Sequence, residues 1–367
     1  MIRLISVVFA VTVALTATTL RAENFRIEPV VSGLEAPWAV AFLPPTDGAQ
    51  RFLVTERDGR LWFGDGGDLQ EVSGVPEVAA VGQGGLLDVM LPRDFAESRL
   101  VYLSFAKEQG ASAGTALGVG RLSDDNRALE DFRVIFEMSG GNSGGRHFGS
   151  RIVEAEDGRI FLTIGERGDR PSAQDMARHN GSVIRINSDG TVPSDNPFVD
   201  QPGVRPELWS IGHRNPQGAA LDAEGLLWVN EHGAQGGDEV NRIERGANYG
   251  WPVISYGRHY SGGQIGEGTE KEGMEQPAYY WDPSIAPSGL AIYSGELWED
   301  WQGDFFVGSL KFDHIARLER NGDQLREADR IETRETQRVR DVREAPDGSI
   351  WFLSVGLGAL YRIVPEG

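Results

Sequence analysis

The stretch RFLVTERDGRLWFGDG, residues 51–66, decides the fold class of this chain. Two short apolar runs flank Asp58-Gly59, and an Asp-Gly pair supplies the positive φ that a tight β-hairpin needs. The phrase returns three times, and two weaker versions also occur. The clear repeats are RIVEAEDGRIFLTIGERG (151–168), GAALDAEGLLWVNEHG (218–233) and DVREAPDGSIWFLSVG (341–356), and the weaker ones are DVMLPRDFAESRLVYLSF (88–105) and GELWEDWQGDFFVGSL (295–310).

Six candidate hairpins, roughly 35–80 residues apart, leave room for about four strands in each repeating unit. Repeated hairpins arranged in a ring make a β-propeller. We therefore predict an all-β chain that forms a six-bladed β-propeller with four-stranded antiparallel blades. A β-sandwich, which also contains many hairpins, is the alternative on pattern alone.

Charge and composition restrict the partners and the cellular location. The chain has 367 residues, with 35 Lys+Arg against 55 Asp+Glu and a net charge of −20. This acidity argues against nucleic acid or an anionic membrane as a main partner. Arg3, the apolar run 4–15 and Ala22 predict a cleaved signal peptide over residues 1–22, hence a periplasmic or secreted protein with a single propeller domain over 23–367. No cysteine is present, so disulfides are not needed.

Common hydrolase and metalloprotease motifs are missing from the sequence. GNSGG (141–145) matches the letters of a nucleophile elbow, but that elbow requires a preceding strand and a following helix. Here RHFGSRIV follows, which predicts a loop and a strand. The chain contains no HExxH, no phosphate-binding loop and no dinucleotide GxGxxG, and its six histidines stand alone in sequence.

A cation and an amide stand at the end of an apolar run in ELWSIGHRNPQG (207–218). His213, Arg214 and Asn215 come directly before Pro216, and a proline with a glycine two residues later predicts a turn or loop. Polar groups on a loop behind a strand are typical of a binding apparatus.

His147 lies behind the glycine-rich segment GGNSGG and just before a predicted strand. Its unperturbed pKa is close to neutrality, so it is a candidate general base. A hydrogen-bonded loop histidine is the structural alternative.

WVNEHGAQGGDEVNRIERGANYGWP (228–252) is rich in potential oxygen ligands. Backbone carbonyls at Gly233 and Ala234, the carboxylates of Asp238 and Glu239, and Tyr249 are ligand types that calcium prefers. A surface loop with ordinary turn carboxylates is the alternative.

Two cationic segments lie near the C-terminus: FFVGSLKFDHIARL contains Lys311, and RVRDVREAPDG contains Arg338 and Arg340. The two arginines are two apart in an apparent strand, which predicts that both side chains share one face. Such a pair would bind a multiply charged anion well. Surface arginines paired with neighbouring carboxylates are the alternative.

Taken in order, these segments resemble those of the soluble quinoprotein sugar dehydrogenases, particularly the aldose sugar dehydrogenases. The matching segments are RHFGSR, LWSIGHRNPQG, EHGAQGGDEVN, NYGWP, APSGLAIYSG, GSLK and RVRDV, and the likeness runs from about residue 25 to the C-terminus. The resemblance implies a six-bladed propeller that uses calcium and pyrroloquinoline quinone (PQQ), a flat ortho-quinone with three carboxylates.

The resemblance also implies residue roles. His147 would take the proton of the sugar C1 hydroxyl while hydride passes to the quinone, which gives a lactone. Arg214 and Asn215 would contact the quinone oxygens. Gln83 would lie near sugar and cofactor, and the cofactor carboxylates would be bound by Lys311, Arg338 and Arg340. The stacking aromatic would be Tyr260 or Trp281. A cofactor-bound calcium would be held by Gly233 and Ala234, and a structural calcium by Glu239 and Tyr249.

The expected partners are aldose sugars, monosaccharides and possibly disaccharides, and an external electron acceptor, with a monomer favoured over a dimer. Arg146 departs from the family, because glucose-specific relatives carry an aspartate there, which leaves substrate choice open. A calcium-dependent propeller lactonase and a non-catalytic propeller that binds protein or glycan are the alternative functions.

Overall fold

The computed structural model describes residues 25–45 and 48–366, so the predicted signal peptide lies outside the described residues. The strands form six separate four-stranded antiparallel sheets, which confirms the predicted six-bladed propeller. Helix is almost absent: one short α-helix, α1 (Phe95–Ser98), and two 3₁₀ turns, Arg170–Gln174 and Glu299–Trp301, occur among the described residues.

The strands are assigned to blades in chain order, and the first strand of the chain belongs to the last blade. The strands are β1 (Phe25–Ser32); blade 1, β2 (Pro37–Phe42), β3 (Phe52–Glu56), β4 (Leu61–Asp65) and β5 (Asp68–Glu71); blade 2, β6 (Leu86–Met90), β7 (Leu100–Gln109), β8 (Ser112–Leu122) and β9 (Leu129–Glu137); blade 3, β10 (Gly149–Glu154), β11 (Ile160–Ile164), β12 (Ser182–Ile186) and β13 (Leu208–Ile211); blade 4, β14 (Pro216–Leu221), β15 (Leu227–Glu231), β16 (Asp238–Arg242) and β17 (Tyr279–Trp281); blade 5, β18 (Pro287–Ile292), β19 (Phe305–Ser309), β20 (Ile315–Asn321) and β21 (Gln324–Ile331); blade 6, β22 (Val339–Glu344), β23 (Ile350–Ser354) and β24 (Ala359–Pro365).

The ring is closed by pairing the two ends of the described chain. Strand β1 is hydrogen-bonded to β24, with Phe25 opposite Pro365 and Ile27 opposite Ile363, and so supplies the fourth strand of blade 6. Because blade 6 takes strands from both ends of the described chain, it has four strands like the other blades, and the ring is closed.

Four of the recurring phrases make the same turn. In each, the residue before the turn donates its N–H to a carbonyl four residues later, as in Glu56 to Arg60 at 2.8 Å and Ala155 to Arg159 at 2.7 Å. Only the glycine has a positive φ, for example 110° at Gly59 and 78° at Gly158. The Asp-Gly signal therefore marks a four-residue turn rather than a two-residue hairpin loop.

Two details of the predicted phrases are corrected. The turn at Asp58 joins the second and third strands of its blade, whereas the other three join the first and second. Segment 295–310 is not a hairpin, because it contains a 3₁₀ turn and β19 only, and its partner β18 ends at Ile292. Six phrases still mark six blades, since each falls in a different sheet.

A buried ion-pair cluster joins the inner strands of the blades. Arg151 on β10 contacts Asp88 on β6 at 2.8 Å and Asp341 on β22 at 3.1 Å, and all three side chains are at most 1% exposed. Arg343 bridges the same two carboxylates. Asp341 also accepts the N–H of Val40 on β2, so the cluster ties four blades together around the axis.

Among the described residues, no helix is long and apolar enough to cross a membrane.

Candidate active site

A cavity of about 890 Å³ opens at one end of the propeller axis. Its wall takes residues from the start of the innermost strand of every blade. These are Trp38 in blade 1, Leu87 in blade 2, Gly149 in blade 3, Gln217 in blade 4, Ala286 beside the start of blade 5, and Arg340 in blade 6. Groups that are far apart in sequence therefore meet here.

Most of the residues singled out in the sequence line this cavity. His147 and Arg214 do not, but each directly precedes a lining residue, Phe148 and Asn215 respectively. Glu239 and Tyr249 surround a separate small void. The predicted residues that line the cavity are Gln83, Asn215, Gly233, Ala234, Tyr260, Lys311, Arg338 and Arg340.

The cavity wall is strongly cationic although the chain is acidic. Its charged lining residues are four cations, Arg57, Lys311, Arg338 and Arg340, and one carboxylate, Asp313. None of these cations has a carboxylate within salt-bridge distance in the described part of the chain; the guanidinium of Arg338 donates to the carbonyl of Leu310 at 3.0 Å. The alternative, in which Arg338 and Arg340 are surface arginines paired with neighbouring carboxylates, is therefore not supported.

Arg340 is the most perturbed of the cations. Burial, together with the positive charges of Arg151, Arg57 and Arg338, lowers the pKa of Arg340 to about 9. Its guanidinium donates to the Gln217 side chain at 2.8 Å and lies 5.6 Å from the ring centre of Trp38. A cluster of like charges in a buried cavity is stabilised by a bound anion.

The predicted reason for pairing Arg338 with Arg340 is wrong, although both reach the cavity. Arg338 lies before β22 and has a φ of 50°, so it is not part of the strand. It reaches the cavity from a left-handed turn residue, whereas Arg340 does so from the strand itself. Strand alternation could not have shown this.

His147 is buried and oriented by a carboxylate. Its Nδ1 lies 2.8 Å from Oε1 of Glu166, and its backbone N–H donates to the Gln83 side chain at 2.7 Å. The second oxygen of Glu166 accepts the N–H of Gly168. Burial lowers the pKa of His147, and the hydrogen bond to Glu166 opposes that shift. The neutral ring therefore donates through Nδ1 and keeps a free lone pair on Nε2.

Glu166 was not identified from the sequence. It lies two residues after the end of β11, in the phrase IGERG, and only the packing of β10 against β11 brings it beside His147. Trp38, beneath the cations, was also not identified. The only sequence signal for Glu166 was its place just after an apolar strand, where a carboxylate needs a partner, and this signal does not identify the partner.

The segment that carries Arg214 and Asn215 crosses from blade 3 to blade 4. The sequence predicted a turn or loop around Pro216. The turn lies instead at residues 212–215, and Pro216 is the first residue of β14. Asn215 Oδ1 accepts the N–H of Gly149 at 3.2 Å. Arg214 is buried, donates to the carbonyl of His232 at 3.1 Å, and leaves its Nε without a partner.

The small void beside Gly233 is lined by the buried carboxylate of Glu231, the half-buried carboxylate of Glu239 and the cation Arg214. Burial and the charge of Glu231 raise the pKa of Glu239 to about 8. Within the described chain, no hydrogen-bond donor lies on the carbonyl of Tyr249; its hydroxyl instead bonds to the backbone of Arg242 and Glu244. Burial and a neighbouring carboxylate favour the protonated form of Glu239, and a bound cation would relieve the same repulsion between the carboxylates. Together with the free Tyr249 carbonyl, this arrangement fits a cation site.

The two aromatic candidates differ in position. Tyr260 lines the cavity and is 72% exposed. Trp281 is 3% exposed, packs in the core between blades 4 and 5, and donates its Nε1–H to Glu327. The structure thus leaves Tyr260 as the one of the two that faces the cavity.

Comparison with known proteins gives the family. The glucose/sorbosone dehydrogenase model matches residues 34–362, nearly the whole described chain. The chain belongs to this family. It is 44% identical over 348 residues to the aldose sugar dehydrogenase YliI of Escherichia coli, which covers 93% of each chain.

Solved structures of sugar dehydrogenases have the same fold as this chain. The apo form of the soluble aldose sugar dehydrogenase of E. coli superimposes with a TM-score of 0.90 at 43% identity, covering 94% of this chain and all of that one. A PQQ-bound aldose sugar dehydrogenase of Streptomyces coelicolor superimposes with a TM-score of 0.76 at 27% identity, covering 94% and 99%. The chain is therefore similar to sugar oxidoreductases over almost its full length.

Proposed function

We propose that this family member is a periplasmic PQQ-dependent aldose dehydrogenase that oxidises the C1 hydroxyl of aldose sugars to lactones. An external acceptor then takes the electrons. The proposal is supported by family membership, by sugar dehydrogenases among its relatives, and by the PQQ-bound neighbour.

One observation carries the proposal: unpaired cations line a single cavity, and a carboxylate-oriented histidine directly precedes Phe148 in its wall. Four lining cations against one carboxylate leave about three positive charges for an anion. The three carboxylates of PQQ match that charge, and the cavity volume of about 890 Å³ is within the range of cofactor sites. We infer that Lys311, Arg338 and Arg340 hold the carboxylates.

PQQ, when bound, supplies an electrophilic quinone carbon that accepts hydride from C1 of the sugar. The chain supplies the base. Nε2 of His147 takes the proton of the C1 hydroxyl, and Glu166 on Nδ1 holds the ring in the right tautomer and stabilises its protonated form. Burial keeps His147 neutral at physiological pH, so it is ready to accept that proton.

Arg214, Asn215 and Gln83 would position the reactants. Since Oδ1 of Asn215 is held by Gly149, its amide N–H group is the donor left for the quinone oxygens. Arg214 directly precedes Asn215 in the chain, and its guanidinium, bonded to the His232 carbonyl, would stabilise negative charge that develops on the quinone oxygens. Gln83 links the base to the wall through its bond to the His147 backbone.

Calcium belongs to the proposal as a second component. The cofactor-bound ion would use the carbonyls of Gly233 and Ala234, and a structural ion would use Glu239 and the carbonyl of Tyr249. The raised pKa of Glu239 and the free Tyr249 carbonyl support the structural ion.

The lactonase alternative requires a cage of free carboxylate and amide ligands on the propeller axis. The axial carboxylates, Asp88 and Asp341, are instead ion-paired with Arg151 and Arg343. The unpaired cations Lys311, Arg338 and Arg340 at the cavity would also have no role in a lactonase. Both observations favour the dehydrogenase.

Cofactor binding can be tested without turnover by titrating PQQ into the apoprotein in a calorimeter. Lys311→Met should weaken PQQ binding by about tenfold or more, because a charge-assisted hydrogen bond is lost. The matched control is Lys107→Met, which removes an exposed lysine paired with Glu137. Equal PQQ affinity for both variants and the wild type would contradict the assignment of this cavity.

A further inference from the structure

Two cations, Arg146 and Arg214, lie close to His147, and a third, Arg170, lies close to Arg214; the three carboxylates of the cofactor do not account for them. Arg146 directly precedes His147, while Arg170 and Arg214 each lie 5.3 Å from the ring centre of Trp251. None of the three forms a salt bridge with Asp or Glu in residues 25–45 and 48–366. The chain has 55 Asp+Glu and only 35 Lys+Arg, so three cations in one region without a carboxylate partner need an explanation.

The positive charges of this group repel one another. The positive charge of Arg170 lowers the pKa of Arg214, after the larger effect of burial. Arg146 and Arg214 both act to lower the pKa of His147. Like charges held close together without a counter-ion destabilise each other, and an anion bound between them removes that cost.

Arg146 is fixed beside the base although its side chain is exposed. A Cβ built on Gly168 would lie 3.2 Å from Nε of Arg146 and 3.3 Å from its Cδ, so the arginine stem packs over that glycine. The N–H of Gly168 binds Glu166, which in turn binds His147. The free guanidinium and the base are therefore carried by one short segment.

Arg170 is held at the edge of the same opening. Its Nη1 donates to Nδ1 of His259 at 2.9 Å. The next residue, Tyr260, lines the cavity and is largely exposed. We call Arg146 and Arg170 the rim cations, because each lies close to the wall without lining the cavity. Arg146 is two residues before the lining residue Phe148, and Arg170 binds His259, which directly precedes the lining residue Tyr260.

We propose that the rim cations select aldoses that carry an anionic group, a carboxylate as in a uronic acid or a phosphate ester. The inference rests on the proposed dehydrogenase function and names its substrate class. The redox step is unchanged: C1–H leaves as hydride to the quinone, the hydroxyl proton goes to His147, and the lactone forms. The anionic group only binds the rim cations and takes no part in the bond changes.

The kinetic test compares matched sugars on the cofactor-loaded enzyme: galacturonate against galactose, and glucose 6-phosphate against glucose. We expect kcat/KM to be about tenfold or more higher for at least one anionic sugar, mostly through KM, and to fall with added salt. The two pairs distinguish carboxylate from phosphate. Arg146→Gln and Arg170→Gln should each remove most of that preference and change the neutral sugars less than about twofold.

The control is Arg334→Gln, which removes an exposed arginine, paired with Glu335, from the loop before β22. It should leave every ratio unchanged. A readout without turnover is calorimetric binding of methyl glucuronide, whose C1 hydroxyl is blocked, with methyl glucoside for comparison. The glucuronide should bind the loaded wild type more tightly, and Arg146→Gln should abolish that difference.

Two failures can be told apart. If the loaded wild type oxidises neutral aldoses but shows no anionic preference, or a preference that Arg146→Gln and Arg170→Gln leave intact, the inference about the rim cations is overturned. If the loaded enzyme oxidises no aldose at all, the proposed function fails, and the glycoside binding still decides whether the rim cations hold an anion.

Discussion

At the residue scale, the sequence indicated most of the polar groups of the cavity but not their partners. The cations Lys311, Arg338 and Arg340 were predicted because their segments resemble those of the family and because two arginines close together suit an anion. Glu166 was not, because its role depends on a contact with His147 that only the packing of neighbouring strands creates. The roles of these residues stay predictions, and the contact gives a direct test of one.

Glu166→Gln should shift the acidic limb of the kcat/KM profile to lower pH. Glu166 raises the pKa of His147, so its removal lets burial lower that pKa further, and the base becomes protonated only at lower pH. The rate on the plateau should fall as well, because a less basic imidazole accepts the proton less readily. The measurement is a pH profile from about pH 4 to 8 with Asp169→Asn as control. A limb that stays in place or moves upward would remove Glu166 from the control of His147.

At the element scale, the repeated Asp-Gly phrase predicted where strands turn, and it did so because glycine is needed at one position of a common four-residue turn. It could not tell which pair of strands the turn joins, since every antiparallel pair in a blade accepts the same turn. The sequence therefore did not predict that the turn at Asp58 falls one strand later in its blade than the other three.

Gly158→Ala tests the turn argument. Gly158 has a φ of 78° and no atom within 4 Å of an added Cβ, so the substitution acts through backbone strain alone. We expect a loss of about 1 kcal/mol in the free energy of unfolding, and a smaller loss for Gly158→Asn, because asparagine tolerates the left-handed region. Chemical denaturation measures both variants. An alanine variant as stable as the wild type would show that the positive φ is not required there.

Strand β16, which carries Glu239, gives a prediction about the structural ion. Without a cation, the folded pKa of Glu239 is about 8, above the value of 4.5 that an unperturbed glutamate has, so stability should fall as pH rises through that window. Calcium binds the ionised form and should therefore raise Tm more at pH 8 than at pH 6. At pH 6, inside the window, folded Glu239 is mostly protonated, whereas at pH 8, its upper end, about half of it is ionised.

Glu239→Gln should abolish the calcium increment in Tm at both pH values, whereas Glu244→Gln, at an exposed carboxylate paired with Arg242, should keep it. Thermal scans with calcium and with chelator provide the measurement. A calcium response that survives in Glu239→Gln would place the ion elsewhere.

At the scale of the whole molecule, the hairpin count predicted six blades, but two features of the ring were beyond sequence reasoning. The contribution of β1 to the last blade joins residues more than 300 positions apart, and pattern gives no register for such a pair. The axial cluster likewise unites Asp88, Arg151, Asp341 and Arg343 from three blades, and no local spacing signals it.

Asp88→Asn should destabilise the protein by about 3–5 kcal/mol, because it leaves buried Arg151 with an incomplete set of counter-charges. Arg159→Ala, which breaks exposed pairs with Asp157 and Asp195, should cost less than about 1 kcal/mol. Urea denaturation of both variants measures the difference. Equal small losses would show that the axial cluster does not hold the blades together.

The central claim is that this cavity binds PQQ and passes the electrons of an aldose to it, with His147 as base. The most direct measurement is stopped-flow absorbance of the bound cofactor after purified protein is loaded with PQQ and calcium and mixed with glucose, galactose, xylose or maltose. We predict that the quinone absorbance bleaches with each sugar, with second-order rate constants within about two orders of magnitude because the site is open. His147→Ala should bind the cofactor but bleach about 10²–10⁴-fold more slowly. A loaded wild type whose quinone spectrum no aldose changes, or a His147→Ala variant that bleaches at the wild-type rate, would contradict the account.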